Sequence, residues 1–301
     1  METDARPRQT HARALLSVAI VAAIFLLATP RAQALAVGDF WTYAYHERDP
    51  GVEWFGNLTE RFLGAVPGTN LVGFELSGGG ILVGGVDGTW SLYERSAYRS
   101  ADGAYVHSNS TLTTHYSQFG TTYDEVVATT IVDNPPADLD GSLQVGNETS
   151  GTTTETVTET RTLNGVSGNP MTQSTAVTIT QRVVARSQVI VPAGTFDVWL
   201  IRLIRSDQPG YVEYAYSETV RESVKITVYD ASEAVRVTFS LTRYQTQAAP
   251  SGGAPAGFAL VALASVGATA VAVALIVRWD RLRRPGVPAS LPVLPGRPPT
   301  P

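Results

Sequence analysis

Strict alternation of apolar and polar residues is the feature that most limits how this chain can fold. The segment VRVTFSLT at 235–242 alternates without a break, and VKITV at 224–228 does so just before it. Near the start, FWTYAY at 40–45 places Trp41, Tyr43 and Tyr45 on one face. A period of two is typical of strands with one buried face, whereas an amphipathic helix repeats about every 3.6 residues. We therefore predict a mainly β domain over residues 35–246.

Turn signals favour antiparallel pairing of these strands. DG at 87–88, DG at 102–103 and NG at 164–165 each lie between extended runs and tolerate the positive φ angles of a tight hairpin. The segment FDVWLIRL at 196–203 is apolar on nearly both faces, which predicts a strand covered on both sides. The predicted fold is one large curved antiparallel sheet or a sandwich.

A proline-containing stretch divides the predicted domain into two halves. DNPPADLDGSLQVG at 133–146 is the least strand-like part of the β region. The halves are 35–136 and 137–246, and a Val-Gly pair lies near the start of each, at 37–38 and 145–146. This pattern suggests an internal duplication.

The N-terminal residues have the layout of a secretory signal peptide. Arg6, Arg8 and Arg13 precede an apolar run at 14–28, and Ala32-Gln33-Ala34 provides a small-x-small cleavage site. We predict a signal peptide over 1–34; an uncleaved signal anchor is the alternative.

A second apolar segment is long enough to cross a bilayer. Residues 257–277 are uncharged, and arginines follow directly, in RWDRLRR at 278–284. A helix of about 20 residues spans the hydrocarbon core, and positive charge stays on the cytoplasmic side. We predict a flexible stalk at 247–256, a transmembrane helix at 257–278 and a disordered cytoplasmic tail at 279–301. The protein is then a single-pass membrane protein with its β domain outside and the lipid bilayer as a partner.

Composition excludes several functional classes. The chain has 301 residues, a formal net charge of -5, no Cys and only four His. The acidic balance argues against a nucleic-acid partner, and no spacing indicates a metal site, a cofactor or a catalytic residue. We therefore predict no enzyme activity, although Asp124 and Glu125 beside a histidine in one pocket would favour a hydrolase.

Two surface features have more than one interpretation. TTTETVTETRT at 152–162 has a threonine at every second position from 152 to 162, and these six threonines share one face. This pattern fits either a regular binding surface for ice, glycan or mineral, or a solvated face built from a good strand former. Three sequons predict N-glycosylation at Asn57, Asn109 and Asn147 if the host glycosylates.

Several short motifs resemble a group of uncharacterised exported proteins of archaea and bacteria. They are GDFWTY at 38–43, VPAGTF at 191–196, YAYSETVRESVKITVY at 214–229 and LTRY at 241–244. In VPAGTF, Pro192 and Gly194 predict a structural turn, since proline lacks an N–H and glycine reaches backbone angles closed to other residues. The group is distantly similar to LolA-like carriers, which implies a bent sheet around an apolar cavity that holds acyl chains.

The expected function is that of a binding or scaffold module outside the membrane. The more specific form of this hypothesis is a module that binds an apolar ligand or lipid, with Trp41, Tyr43 and Tyr45 as the binding face. A structural or adhesive cell-envelope protein with envelope-protein partners is the alternative, and an extracytoplasmic hydrolase is the third hypothesis.

Overall fold

The computed structural model describes residues 35–49, 51–137, 139 and 143–247. The predicted signal peptide, transmembrane helix and cytoplasmic tail, and all but the first residue of the predicted stalk, lie outside this part. Within it, no helix has the length and hydrophobicity needed to cross a membrane. The first six strands are β1 (Phe40–Asp49), β2 (Val52–Ala65), β3 (Leu71–Gly84), β4 (Asp87–Arg99), β5 (Tyr105–Gln118) and β6 (Thr121–Asp133). The remaining strands are β7 (Glu148–Leu163), β8 (Val166–Ser167), β9 (Met171–Val191), β10 (Gly194–Arg205), β11 (Tyr211–Ser217), β12 (Glu222–Tyr229) and β13 (Val235–Gln245).

Twelve long antiparallel strands form one closed barrel. Each pairs with its sequence neighbours, except that β1 pairs with β13 and that the two-residue β8 extends the sheet beside β7. Residues 125–133 of β6 pair with 155–163 of β7 and close the ring. The predicted mainly β, antiparallel domain is confirmed, and its single curved sheet closes into a barrel, which the prediction of a curved sheet or a sandwich did not include. Closure pairs the backbone N–H and C=O groups that β6 and β7 would otherwise expose at sheet edges.

The two predicted halves contribute equally to this ring. Strands β1–β6 come from the first half, and six long strands come from the second. The β1–β13 and β6–β7 pairings are the two seams between the halves. The duplication itself stays a prediction.

Turns and strand faces follow the sequence pattern with two exceptions. Asn164 and Gly165 connect β7 to β8 with φ angles of 49° and 79°, as a tight hairpin requires. DG at 87–88, in contrast, opens β4 instead of forming the turn before it. Strand β10 is buried on one face only: Trp199, on the outer face, is half-buried under the Arg186 guanidinium, 5.1 Å from the ring centroid.

Candidate functional site

The predicted apolar binding face lies inside the barrel. Trp41, Tyr43 and Tyr45 point inward from β1 and are 0%, 2% and 2% exposed. Tyr45 packs against Trp90 and Phe239, with ring centroids 5.3 Å and 5.1 Å apart. These rings are packed against other core side chains, so they build the core of the domain.

The turn between β11 and β12 contributes to the same interior. Val220, in this turn, is fully buried, and its carbonyl oxygen accepts a hydrogen bond of 3.1 Å from the Trp41 indole N–H. Ser217 and Glu222, which flank the turn, are also buried. The turn therefore brings polar groups into the barrel.

Buried carboxyl groups surround the Tyr43 hydroxyl. Burial raises the pKa of Tyr43 well above 10, and nearby Glu222 and Glu60 raise it further. Burial likewise raises the pKa of Glu60 well above 4.5, with added repulsion from Glu222 and Glu94. Among the described residues, the Tyr43 hydroxyl has no hydrogen-bond partner. Such a site favours protonated, uncharged carboxyl groups.

A second buried cluster contains its own cation. The Arg205 guanidinium donates to both Glu155 oxygens at 3.1 and 3.2 Å, and to both Asp207 oxygens at 3.0 Å. The pKa of nearby Asp133 is raised to about 8, mainly by burial and then by repulsion from Glu155, and the attraction of Arg205 offsets part of this rise. Sequence reasoning missed these acids. Their signal was a carboxyl residue at an inward position of an alternating strand, as Glu60 is in LTERF at 58–62.

Neither acidic cluster has the arrangement of a metal site. Among the described residues, no group of three or more His, Asp or Glu side chains is placed to hold a metal ion. Asp124 forms an exposed pair with the His115 imidazole, whereas Glu125 points inward and pairs with Arg161. Asp124 and Glu125 thus lie on opposite faces of β6 and share no pocket.

A shallow groove of about 620 Å³ crosses the outer surface of β13, β1, β2 and β3. It follows a lateral row of mostly small residues, Ser240, Ala44, Asn57 and Gly79, which are register partners on adjacent strands. The next row contains Thr238, His46, Phe55 and Ile81. The His46 and Phe55 rings stack 4.5 Å apart and form one wall of the groove.

An uncharged face covers the central part of the outer surface of β5, β6, β7 and β9, and the exposed His115–Asp124 pair lies in the next outward row of β5 and β6. We call this uncharged face the hydroxyl face. Its outward residues are Asn109, Thr111, Thr113, Val126, Ala128, Thr130, Val132, Thr152, Thr154, Thr156, Thr158, Thr160, Thr162, Thr172, Ser174, Ala176 and Thr178.

Cross-strand hydrogen bonds fix several side chains of the hydroxyl face. Thr156 bonds Ser174 at 2.9 Å, and Thr158 bonds Thr172 at 3.0 Å. The predicted threonine strand therefore has hydroxyl partners on β9. MTQSTAVTIT at 171–180, with hydroxyl residues at most alternate positions, was the sequence signal for this extension.

The other predicted site residues lie in three settings. Pro192 is in the connection between β9 and β10, and Gly194 opens β10 with φ 137°. Asn57 and Asn109 are exposed on outer faces, where the Asn109 carboxamide oxygen accepts a hydrogen bond of 2.8 Å from Thr130. Asn147 is half-buried just before β7.

Comparison with known proteins gives weak structural similarities. No family model and no curated protein matches the chain. A Bacteroides fragilis structure, described as exported and YmcC-like in fold, covers 71% of this chain and 99% of its own, at 12% identity and a TM-score of 0.30. A Parabacteroides distasonis structure, described as a lipoprotein, covers 70% of this chain and 97% of its own, at 13% identity and a TM-score of 0.29. Similarities this low support no inference about what this chain binds.

Proposed function

We propose that this chain is an exported envelope protein, anchored by the helix at 257–278, whose β domain binds neutral polysaccharide through the hydroxyl face. The observation that carries the proposal is the absence of charged side chains among the outward residues that define this face on four adjacent strands. Charged polymers and ionic minerals bind best to charged surfaces, whereas a neutral hydroxyl surface suits a neutral, hydroxyl-rich partner.

The geometry of the hydroxyl face supports a repeating partner. Outward residues recur about every 6.6–6.8 Å along a strand and about every 4.8 Å between strands. Pairs such as Thr158 and Thr172 hold their rotamers by bonding each other, yet each hydroxyl retains further donor or acceptor capacity. The methyl groups between them, for example those of Ala128 and Ala176, offer apolar contacts to the C–H faces of sugar rings.

Binding through the outer surface is favoured over an apolar ligand in the interior. A lipid held by Trp41, Tyr43 and Tyr45 would have to displace rings that are packed against other core residues. It would also meet the buried carboxyl groups of Glu60 and Glu94. Both would cost free energy that an acyl chain does not recover by hydrogen bonding.

The proposal is tested by sedimentation of the full chain, purified in detergent, with insoluble cellulose and chitin. Thr158→Lys puts a charge at the centre of the hydroxyl face and should weaken binding about tenfold or more, corresponding to about 1.4 kcal/mol. Thr195→Lys changes an exposed threonine on β10, outside this face, and serves as the matched control. Failure of the wild-type chain to sediment with either polymer, or equal binding by both variants, would contradict the proposal.

A further inference from the structure

The asparagine of one of the three sequons, Asn57, lines the groove on the outer surface. Because side chains alternate along a strand, Phe55, Asn57 and Thr59 of β2 all point outward, while Leu58 is fully buried. Asn57 is exposed and lies in the row of mostly small residues that forms the groove. Gly79 and Ala44 are its two lateral neighbours, so the space on either side of its carboxamide is open.

The two rows that flank the row of Asn57 differ in chemistry. On one side, Phe55 is 36% exposed and Ile81 is 51% exposed, which gives an apolar edge on two adjacent strands. On the other side, just beyond the lining of the groove, Thr59 bonds Thr42 through their hydroxyl groups at 3.1 Å. A pyranose ring has the same two sides, because its C–H face is apolar and its hydroxyl edge is polar.

We propose that Asn57 carries an N-linked glycan and that the first sugar of this glycan lies in the groove with its C–H face against Phe55. The proposal rests on the export of the chain. In the coupling step, the Asn57 amide nitrogen forms a bond to C1 of a lipid-linked sugar phosphate donor. The bond from C1 to the phosphate oxygen breaks, and the amide proton leaves with the released phosphate; the exporting cell supplies the donor and the transferase.

The other two sequons have no equivalent surroundings. The Asn109 carboxamide is held by Thr130, and its neighbour across the β4–β5 pair is Arg95. Asn147 is half-buried, and its backbone carbonyl accepts a hydrogen bond of 2.9 Å from the Val183 N–H. Asn57 alone among the three sequons lies in this groove, beside the exposed Phe55 ring.

The test is to express the full chain in the yeast secretory pathway, purify it in detergent and trim its N-glycans enzymatically to a single N-acetylglucosamine. Peptide mass spectrometry should find this sugar on Asn57, and the trimmed protein should melt about 2 to 4 °C above Asn57→Gln. Thr59→Ala, which removes the sequon but keeps the asparagine, provides a second unglycosylated variant. Phe55→Ala should abolish the gain in Tm while leaving the sugar attached. Leu63→Ala, which removes another exposed apolar side chain of β2, should preserve the gain.

Each contrary result overturns a separate statement. The glycan on Asn57 is ruled out if Asn57 is unmodified in a chain that carries a sugar on Asn109 or Asn147. It is also ruled out if all three asparagines are unmodified after passage through the secretory lumen. A sugar on Asn57 whose gain in Tm survives Phe55→Ala rules out its place in the groove. Loss of polysaccharide binding by Thr158→Lys is measured independently, because Thr158 lies on β7, outside the groove.

Discussion

At the scale of single residues, this protein is distinguished by carboxyl side chains that are buried among the aromatic residues of its core. Glu94 is almost completely buried, and among the described residues neither of its oxygens accepts a hydrogen bond of normal geometry. Burial raises its pKa from 4.5 to about 8, although the nearby Ser108 hydroxyl lowers it in part. The folded protein therefore binds more protons than the unfolded chain between these two pH values.

We expect the stability of the protein to fall as pH rises through this interval. An acid with a raised pKa favours the folded state below its unfolded pKa of 4.5, and this contribution is lost towards about pH 8. Glu94→Gln keeps the shape of the side chain and cannot ionise. Urea unfolding should give similar stabilities for variant and wild type at pH 4, and a variant more stable by a few kcal/mol at pH 9.

A matched control separates this effect from general changes in charge. Glu218 is exposed in the β11–β12 turn, and Glu218→Gln should change stability little at either pH. A wild type that is equally stable at pH 4 and pH 9, or a Glu94→Gln variant with no gain at pH 9, would show that Glu94 is not the source of the dependence.

At the scale of elements, the shape of the groove depends on the close approach of β2 and β3. A Cβ atom added at Gly80 would lie 2.6 Å from the Gly56 Cα and would collide with the Phe55 carbonyl oxygen. At Gly73, on the same strand, the nearest atoms to an added Cβ are Val66 Cγ2 at 3.6 Å and Leu63 Cβ at 3.7 Å, which is ordinary contact.

Alanine substitutions on β3 should therefore have unequal effects. We expect Gly80→Ala to destabilise the protein by about 1–3 kcal/mol, because the backbone of β2 must move. Gly73→Ala should be nearly neutral, and thermal unfolding of the two variants measures the difference. Equal loss of stability in both would mean that close backbone approach does not explain the glycines at 78–80.

The strands themselves could largely be predicted from alternation, but their environments could not. The pattern at 235–242 correctly placed Val237, Phe239 and Leu241 on the buried face. The pattern at 196–203 was misread as a strand covered on both sides, because Trp199 is shielded by Arg186 and not by a second layer. An apolar residue in the sequence predicts a side chain that is covered from water, but it does not predict which group covers it.

At the scale of the whole molecule, closure of the barrel and the orientation of the chain are separate questions. Closure is visible in the β6–β7 pairing, whereas the proposed orientation in the membrane rests on the apolar segment and the arginines beyond residue 256 in the sequence. We expect protease added to intact cells to cut the stalk at 247–256 and release the β domain into the medium. An epitope tag at the C-terminus should be degraded only after the cells are permeabilised. Digestion of the tag on intact cells, with the β domain retained, would reverse the orientation.

The sequence by itself determined the type of domain and the position of most strands, because the side-chain period of a strand is local and is written directly in neighbouring residues. Its antiparallel character followed from turn pairs such as Asn164 and Gly165, whose φ angles are also a local property. Only the tertiary structure decided that β6 meets β7, that Trp41, Tyr43 and Tyr45 form a filled core, and that Phe55 and Asn57 share a groove with Gly79. These results depend on strand order and on register between strands, and no local pattern specifies either of them.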